Sequence, residues 1–179
     1  MKTRLSIFAA LIALLTAAFA APAEAKRPLY GEMDLQFNLA WPGPQTEVPD
    51  WVGTITIDGD VYGMAFFNTG SGKPFDDNPS DVVFFEETWV IYDELTFVFD
   101  GFVLDEFEPG DVVLSGYDRG IVTIPNSWYH MNGDVRVADG DFIRSLGRNV
   151  HMSGDIVWGD GTVYPLGAPQ YAPGVFRIN

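Results

Sequence analysis

The stretch WVGTITIDGDVYGMAFF, residues 51–67, decides the fold. Two runs rich in aromatic and β-branched residues, Trp51 to Ile57 and Val61 to Phe67, flank Asp58-Gly59-Asp60. An Asp-Gly pair between two such runs supplies the positive φ angles that a tight antiparallel turn requires. We therefore predict a β-hairpin over these residues.

The same alternation of apolar and polar residues continues on both sides of this hairpin. Met33, Leu35, Phe37 and Leu39 alternate with polar residues and predict a half-buried first strand. Turn residues recur about every 8–12 positions, and no amphipathic helix stands out. The pattern predicts an all-β fold, a sandwich or barrel of eight or nine strands, formed by one domain over residues 26–179.

Val82 to Tyr92 and Leu95 to Leu104 carry apolar residues on both faces, and we predict that they pair with each other. Antiparallel strands usually leave one face to water. Either these strands line a cavity and also form a separate contact surface, or another subunit covers their outer side. Ser115 to Gly120 is predicted as a turn between two short strands, and Asn68 to Ser80 as a mobile polar loop at the rim.

The N-terminus is typical of a cleavable signal peptide. Lys2 and Arg4 precede an uncharged apolar run that extends from Leu5 to Ala20. Two sites fit the small-residue pattern that precedes signal-peptide cleavage, Ala18-Phe19-Ala20 and Ala23-Glu24-Ala25. We therefore expect residues 1–25 to be removed at or near this point, and the protein to be secreted or periplasmic.

Composition excludes several classes of protein. The net charge of −15 disfavours nucleic acid and anionic lipid as partners. A chain with 0 cysteines has no disulfides, no thiolate metal site and no lipid-modified cysteine. We also expect no membrane insertion, because the final residues Arg177-Ile178-Asn179 lack the terminal aromatic that outer-membrane barrels usually carry.

The segment GDVRVADGDFIRSLG, residues 133–147, combines a strand, a glycine turn, an aromatic residue and a second glycine. The spacing of Gly140, Phe142, Ser145 and Gly147 resembles the turn before the penultimate strand in the allene oxide cyclase and dirigent-like family. The resemblance implies an eight-stranded antiparallel barrel with an apolar pocket, often assembled as a trimer. It also implies polar groups inside the barrel that steer cyclisation or radical coupling, but no catalytic position of the family aligns with this chain.

Five residues are candidates for acid–base chemistry. Glu86 and Glu87 lie within an apolar strand and point to opposite faces, so that one of them is expected to face inward, and Asp100 lies in the predicted partner strand. A carboxyl group in an apolar lumen has a raised pKa and can act as an acid or a base. His130 and His151 fall on polar faces that lie together if their strands pair; they suit general-base chemistry or simply a solvated outer face.

The surplus of aromatic residues favours a ring-bearing ligand, and we predict that Trp89, Phe97 and Phe99 line its site. Turn chemistry explains Asp-rich segments such as residues 58–60 and 76–78, so we expect no metal and no cofactor. The leading hypothesis is an exported barrel that binds a small hydrophobic or aromatic molecule, with cyclase or isomerase activity as its enzymatic version. The alternative is a structural, oligomeric protein without a pocket, and whether the protein is an enzyme stays open.

Overall fold

A computed structural model describes residues 27–40, 42–43, 47–70, 82–123, 127–162 and 168–179. The predicted signal peptide, and the predicted rim loop beyond Gly70, lie outside these residues. The chain forms β1 (Leu29–Phe37), β2 (Trp51–Ile57), β3 (Asp60–Gly70), β4 (Val82–Tyr92), β5 (Leu95–Asp100), β6 (Val103–Pro109), β7 (Val112–Thr123), β8 (Trp128–Ala138), a 3-10 helix (Gly140–Ser145), β9 (Asn149–Asp155), β10 (Val157–Trp158), β11 (Pro169–Tyr171) and β12 (Gly174–Ile178). No helix in this described part is long and apolar enough to cross a membrane.

Eight of these strands close into an antiparallel barrel in the order β1, β2, β3, β4, β7, β8, β9, β12 and back to β1. The closing pair joins β1 to β12, where Leu29 lies opposite Ile178. β10 and β11 extend the sheet beside β1. The predicted all-β, eight-stranded antiparallel barrel is therefore confirmed.

The predicted hairpin forms as β2 and β3, with Ile57 opposite Asp60. Asp58 and Gly59 occupy the turn with φ angles of 54° and 96°. Asp tolerates this left-handed region better than most residues and Gly adopts it freely, which is why Asp-Gly sets the register of the hairpin.

Inward-facing apolar residues of all eight barrel strands form the core inside the barrel. One end is closed by the 3-10 helix, whose Phe142 is buried and packs edge-on against Tyr62 of β3 at 5.5 Å between ring centroids. Gly140 and Gly147, on either side of this plug, both have positive φ. We call this the closed end; the turn between β2 and β3 lies at the same end.

β5 and β6 form a separate hairpin that packs on the outside of the barrel. Its apolar side chains cover Val52, Ala65 and Tyr92 on the outer face of β2, β3 and β4. Gly63 allows the close approach, because a Cβ there would lie 2.0 Å from the Cβ of Leu95. We call this element the outer hairpin.

The outer hairpin corrects one sequence-based prediction. Residues 95–104 do not pair with β4, whose partners are β3 and β7. The outer hairpin covers Val90 and Tyr92 on the outer side of β4, whereas Phe84 on the same side is exposed. Local periodicity identified the two-faced strands but carried no information about which segment covers them.

β7 corrects another prediction. Residues 115–120, predicted as a turn, form the middle of one continuous strand from Val112 to Thr123. A β-bulge lies at Ser115 and Gly116. Gly116 is required at the bulge because a Cβ would lie 2.3 Å from the indole ring of Trp89. The small residues that suggested a turn instead make room for a large core side chain.

Candidate functional site

An apolar cavity of about 210 Å³ occupies the end of the barrel opposite Phe142. Six aromatic side chains line it together with aliphatic ones, and the aromatic residues are Phe37, Trp51, Phe66, Phe85, Tyr129 and Trp158. Asp50, Asn68, Glu87 and Tyr129 bring polar groups to the same wall. We call this the open end. Its volume lies somewhat below the roughly 300–1,000 Å³ of drug-sized ligand sites, which favours a small ligand.

Three carboxyl groups are buried at or beside this cavity. The exposed fractions of Asp50, Glu87 and Asp118 are 3%, 4% and 0%. Glu87 of β4 and Asp118 of β7 lie directly opposite each other in the sheet, and Asp50 immediately precedes β2. We call these residues the carboxyl cluster. Carboxylates are rarely buried without a cation, because their desolvation reduces stability, so the cluster lowers the stability of this fold.

Burial determines the protonation of the cluster. Loss of solvation raises the pKa of Asp50 to about 7, although a hydrogen bond from Glu87 opposes this shift. Burial also raises the pKa of Glu87 well above its ordinary value, and the negative charges of Asp50 and Asp118 add to the effect. The Glu87 carboxyl group therefore keeps its proton and donates it in a hydrogen bond to the Asp50 carboxylate.

Asp118 lies deeper and also favours its neutral form, because burial and then the charge of Asp50 raise its pKa well above the ordinary value. A glycine gives its side chain room, since a Cβ on Gly133 would lie 2.6 Å from the Cβ of Asp118. Burial likewise raises the pKa of Tyr129, with the charge of Glu87 contributing. Near neutral pH the region therefore carries little charge beyond that of the Asp50–Glu87 pair.

Backbone hydrogen bonds fix the position of Asp50. Its N–H donates to the carbonyl of Phe66 at 3.1 Å, and its carbonyl accepts from the N–H of Asn38 at 2.8 Å. The buried side chain of Asn38 donates to Pro49 and accepts from the N–H of Leu104 at the tip of the outer hairpin. The outer hairpin thus holds the loop that presents Asp50 to the cavity.

Glu86 and Glu87 face opposite sides of β4, as the alternation predicted. Glu87 points into the barrel, whereas Glu86 points outward and forms an ion pair with Arg119 at 2.8 Å. Both partners of that pair are substantially exposed, so the pair contributes little to stability. Of the two glutamates, only Glu87 reaches the cavity.

The remaining predicted ligand and acid residues lie away from the cavity. Asp100 is exposed at the end of β5, and Phe97 and Phe99 pack in the outer hairpin. They were assigned to a barrel strand that the chain does not form. Trp89 does face inward but belongs to the solid core, where it packs edge-on against Phe176 at 5.3 Å.

The two histidines lie together on the outer face of β8 and β9, with ring centroids 4.5 Å apart. Asn132 contacts both rings, at 2.8 Å from His130 Nε2 and 3.1 Å from His151 Nδ1. Partial burial, then the charges of His130 and Arg177, lower the pKa of His151. This pair is separated from the cavity by the sheet itself.

Sequence reasoning missed Asp50, Asp118 and Tyr129. Asp118 was placed in a turn, although inward residues of β7 alternate as Leu114, Gly116, Asp118. That period-two pattern was the available signal, and the small residues obscured it. Asp50 carried no periodic signal, because it precedes its strand and depends on hydrogen bonds to distant residues.

The cluster is equipped for proton transfer and for binding a polar group at the end of an apolar ligand. Within the described residues, no group of three or more His, Cys, Asp or Glu side chains is arranged to hold a metal ion. No family model, no curated protein and no solved structure matches this chain.

Proposed function

We propose that this protein is an exported β-barrel that binds a small hydrophobic or aromatic molecule in the cavity at its open end. The observation that carries the proposal is an aromatic-lined cavity of about 210 Å³ with Asp50 and Glu87 on its wall. A barrel selected only for stability would fill this space with side chains, because empty volume and buried carboxyl groups both reduce stability. Export rests on the signal peptide predicted over residues 1–25.

Acid–base isomerisation or cyclisation is the enzymatic version of this proposal. The Asp50–Glu87 pair supports it, because one neutral carboxyl group and one carboxylate lie side by side at the cavity. Glu87 would give its proton to one ligand atom while Asp50 accepts a proton from another. The proton gained by Asp50 then returns to Glu87 along their hydrogen bond, which restores the pair, and no oxidant is needed. The resemblance to the allene oxide cyclase and dirigent-like family agrees with such chemistry and suggests a trimer.

Uptake of a small neutral dye tests the proposal. Prodan should bind to the purified protein with a blue-shifted, enhanced emission, because its naphthalene ring enters an apolar site. Val83→Trp should abolish this signal, since Val83 lines the cavity and the larger indole fills it. Val61→Trp is the matched control, because Val61 is exposed on β3.

Equal prodan emission from Val83→Trp and the unmodified protein would overturn the proposal. A large oligomer in a mass measurement, combined with no dye uptake, would support the structural alternative without a pocket instead. Circular dichroism of both variants establishes that the comparison is made between folded proteins.

A further inference from the structure

The cavity wall offers hydrogen-bond acceptors that the described part of the chain does not use. Asp50 Oδ1, Asn68 Oδ1 and the Tyr129 hydroxyl oxygen are each buried without a hydrogen-bond partner there. All three residues line the same cavity. Unpaired buried acceptors are costly, and water or a ligand that donates hydrogen bonds would pair them.

The carboxyl cluster also lacks a positive charge inside the barrel. Among the described residues, the cavity lining contains no Lys, Arg or His. The ion pairs of Arg119 and Arg136 lie on the outer surface. Within the described part of the chain, no cation lies beside Asp50, so a cation from solution would balance a negative charge there.

The remaining walls suit a cation with an apolar body. The faces of aromatic rings attract ammonium groups, and rings also pack against an apolar skeleton. Phe66, Phe85 and Trp158 supply such surfaces around the polar groups. An ammonium group brings one positive charge and three N–H donors, one for each of the three cavity-lining residues with an unpaired acceptor.

We propose that the ligand of this cavity is a primary amine with a small apolar or aromatic body, bound as its ammonium ion between Asp50, Asn68 and Tyr129. This inference rests on the proposed binding function and names its ligand class. Asp50 is the counter-ion. The carboxyl O–H of Glu87 donates a hydrogen bond to the Asp50 carboxylate, and this bond holds Asp50 in place.

The charge at Asp50 makes amine binding depend on pH. Among residues 47–70, 82–123 and 127–162, the groups that face Asp50 are Glu87 from β4, Asp118 from β7, Asn68 from β3 and Tyr129 from β8, and none of them is cationic. With a pKa of about 7, Asp50 is mostly ionised at pH 8 and mostly neutral at pH 5.5. Amine affinity should therefore fall by roughly tenfold or more from pH 8 to pH 5.5.

Calorimetric titration with matched probes tests this inference. 2-Phenylethylamine and 2-phenylethanol share a skeleton and differ in charge. At pH 8 the amine should bind at least about tenfold more tightly, and only the amine should lose affinity at pH 5.5. Asp50→Asn should remove the preference for the amine while leaving alcohol binding in place.

Two further variants sharpen the assignment. Glu87→Gln should keep the preference, because the amide N–H still donates to Asp50. Glu86→Gln is the control on the outer face of the same strand and should change neither affinity.

The results separate the inference from the proposed function. Equal binding of amine and alcohol, or an amine preference that survives in Asp50→Asn, overturns the amine assignment but leaves the binding barrel intact. Failure of both probes and of prodan to bind overturns the binding function itself. If Asp50→Asn does not fold, the pH dependence of the unmodified protein still decides, because a flat amine affinity contradicts the role of Asp50.

Discussion

The two ends of the barrel are built from the same eight strands but use their interior differently. At the closed end, the 3-10 helix inserts Phe142 against Tyr62, and the surrounding core is hydrocarbon. At the open end, the core gives way to a cavity with Asp50 and Glu87 on its wall. At both ends, inward-facing and outward-facing side chains alternate along the strands.

The difference separates stability from function. Packed apolar side chains stabilise a fold, whereas empty volume and desolvated carboxyl groups reduce its stability. Packing at the closed end therefore offsets the stability that is lost at the open end. Buried groups with strongly shifted pKa values cluster at functional sites in general. Within the described interior of this barrel, the carboxyl groups with strongly raised pKa values all lie at the open end.

The largest effect should come from removing the plug of the closed end. Phe142→Ala should lower the free energy of unfolding by about 3–5 kcal/mol, because it leaves a cavity under the 3-10 helix. Urea denaturation measures the change. Phe84→Ala, at an exposed position on β4, should cost much less. Similar losses in the two variants would show that Phe142 does not seal the barrel.

The next effect concerns the pH dependence of stability at the open end. Burial raises the pKa of Asp50 to about 7 in the folded protein, so its contribution is present below the unfolded value of about 4 and is lost as pH rises through about 7. Stability should fall by on the order of 2–4 kcal/mol between pH 4.5 and pH 8.

Urea denaturation at both pH values checks this expectation. Asp50→Asn should flatten the pH dependence and stabilise the protein at pH 8, because the desolvated charge is gone. The high net negative charge of −15 lowers stability in the same direction as pH rises. An Asp50→Asn variant with an unchanged pH slope would assign the dependence to that general repulsion and to Glu87 and Asp118, whose pKa values burial also raises.

A pair of opposite effects should follow from adding volume at each end. Val122→Phe extends into the cavity and should stabilise the protein by about 0.5–2 kcal/mol while blocking prodan. Val135→Phe enters the packed core and should cost about 1–3 kcal/mol. Thermal unfolding compares the two, and destabilisation by both would mean that the open end is as tightly packed as the closed end.

The smallest effect should come from the outer surface. Glu86→Gln breaks the ion pair with Arg119. The side chain of Glu86 is 43% exposed and that of Arg119 is 71% exposed. Water and salt screen this pair, so stability should change by less than about 1 kcal/mol. A larger loss in denaturation would indicate that the outer face of β4 contributes more than its exposure suggests.

Much of the barrel was predictable from local pattern. The β2–β3 hairpin followed from Asp58-Gly59, and the two-faced orientation of Glu86 and Glu87 followed from strand alternation. The covering of β4 by the outer hairpin was not predictable, because an apolar strand face does not specify its partner. Phe97 and Phe99 were assigned to the ligand site for the same reason.

The candidate site was predictable only at Glu87, since the other members of the cluster depend on long-range contacts. Asp50 reaches the cavity because Phe66, Asn38 and the tip of the outer hairpin hold its loop. Asp118 lies opposite Glu87 because β7 is continuous through its bulge.

The sequence by itself determined the all-β class, since period-two alternation and turn residues act over a few neighbouring positions. Only the tertiary structure decided which end is packed, which face is covered and which carboxyl groups meet. These outcomes depend on burial and on hydrogen bonds between residues far apart in the chain, and burial is also what shifts the pKa values at the open end.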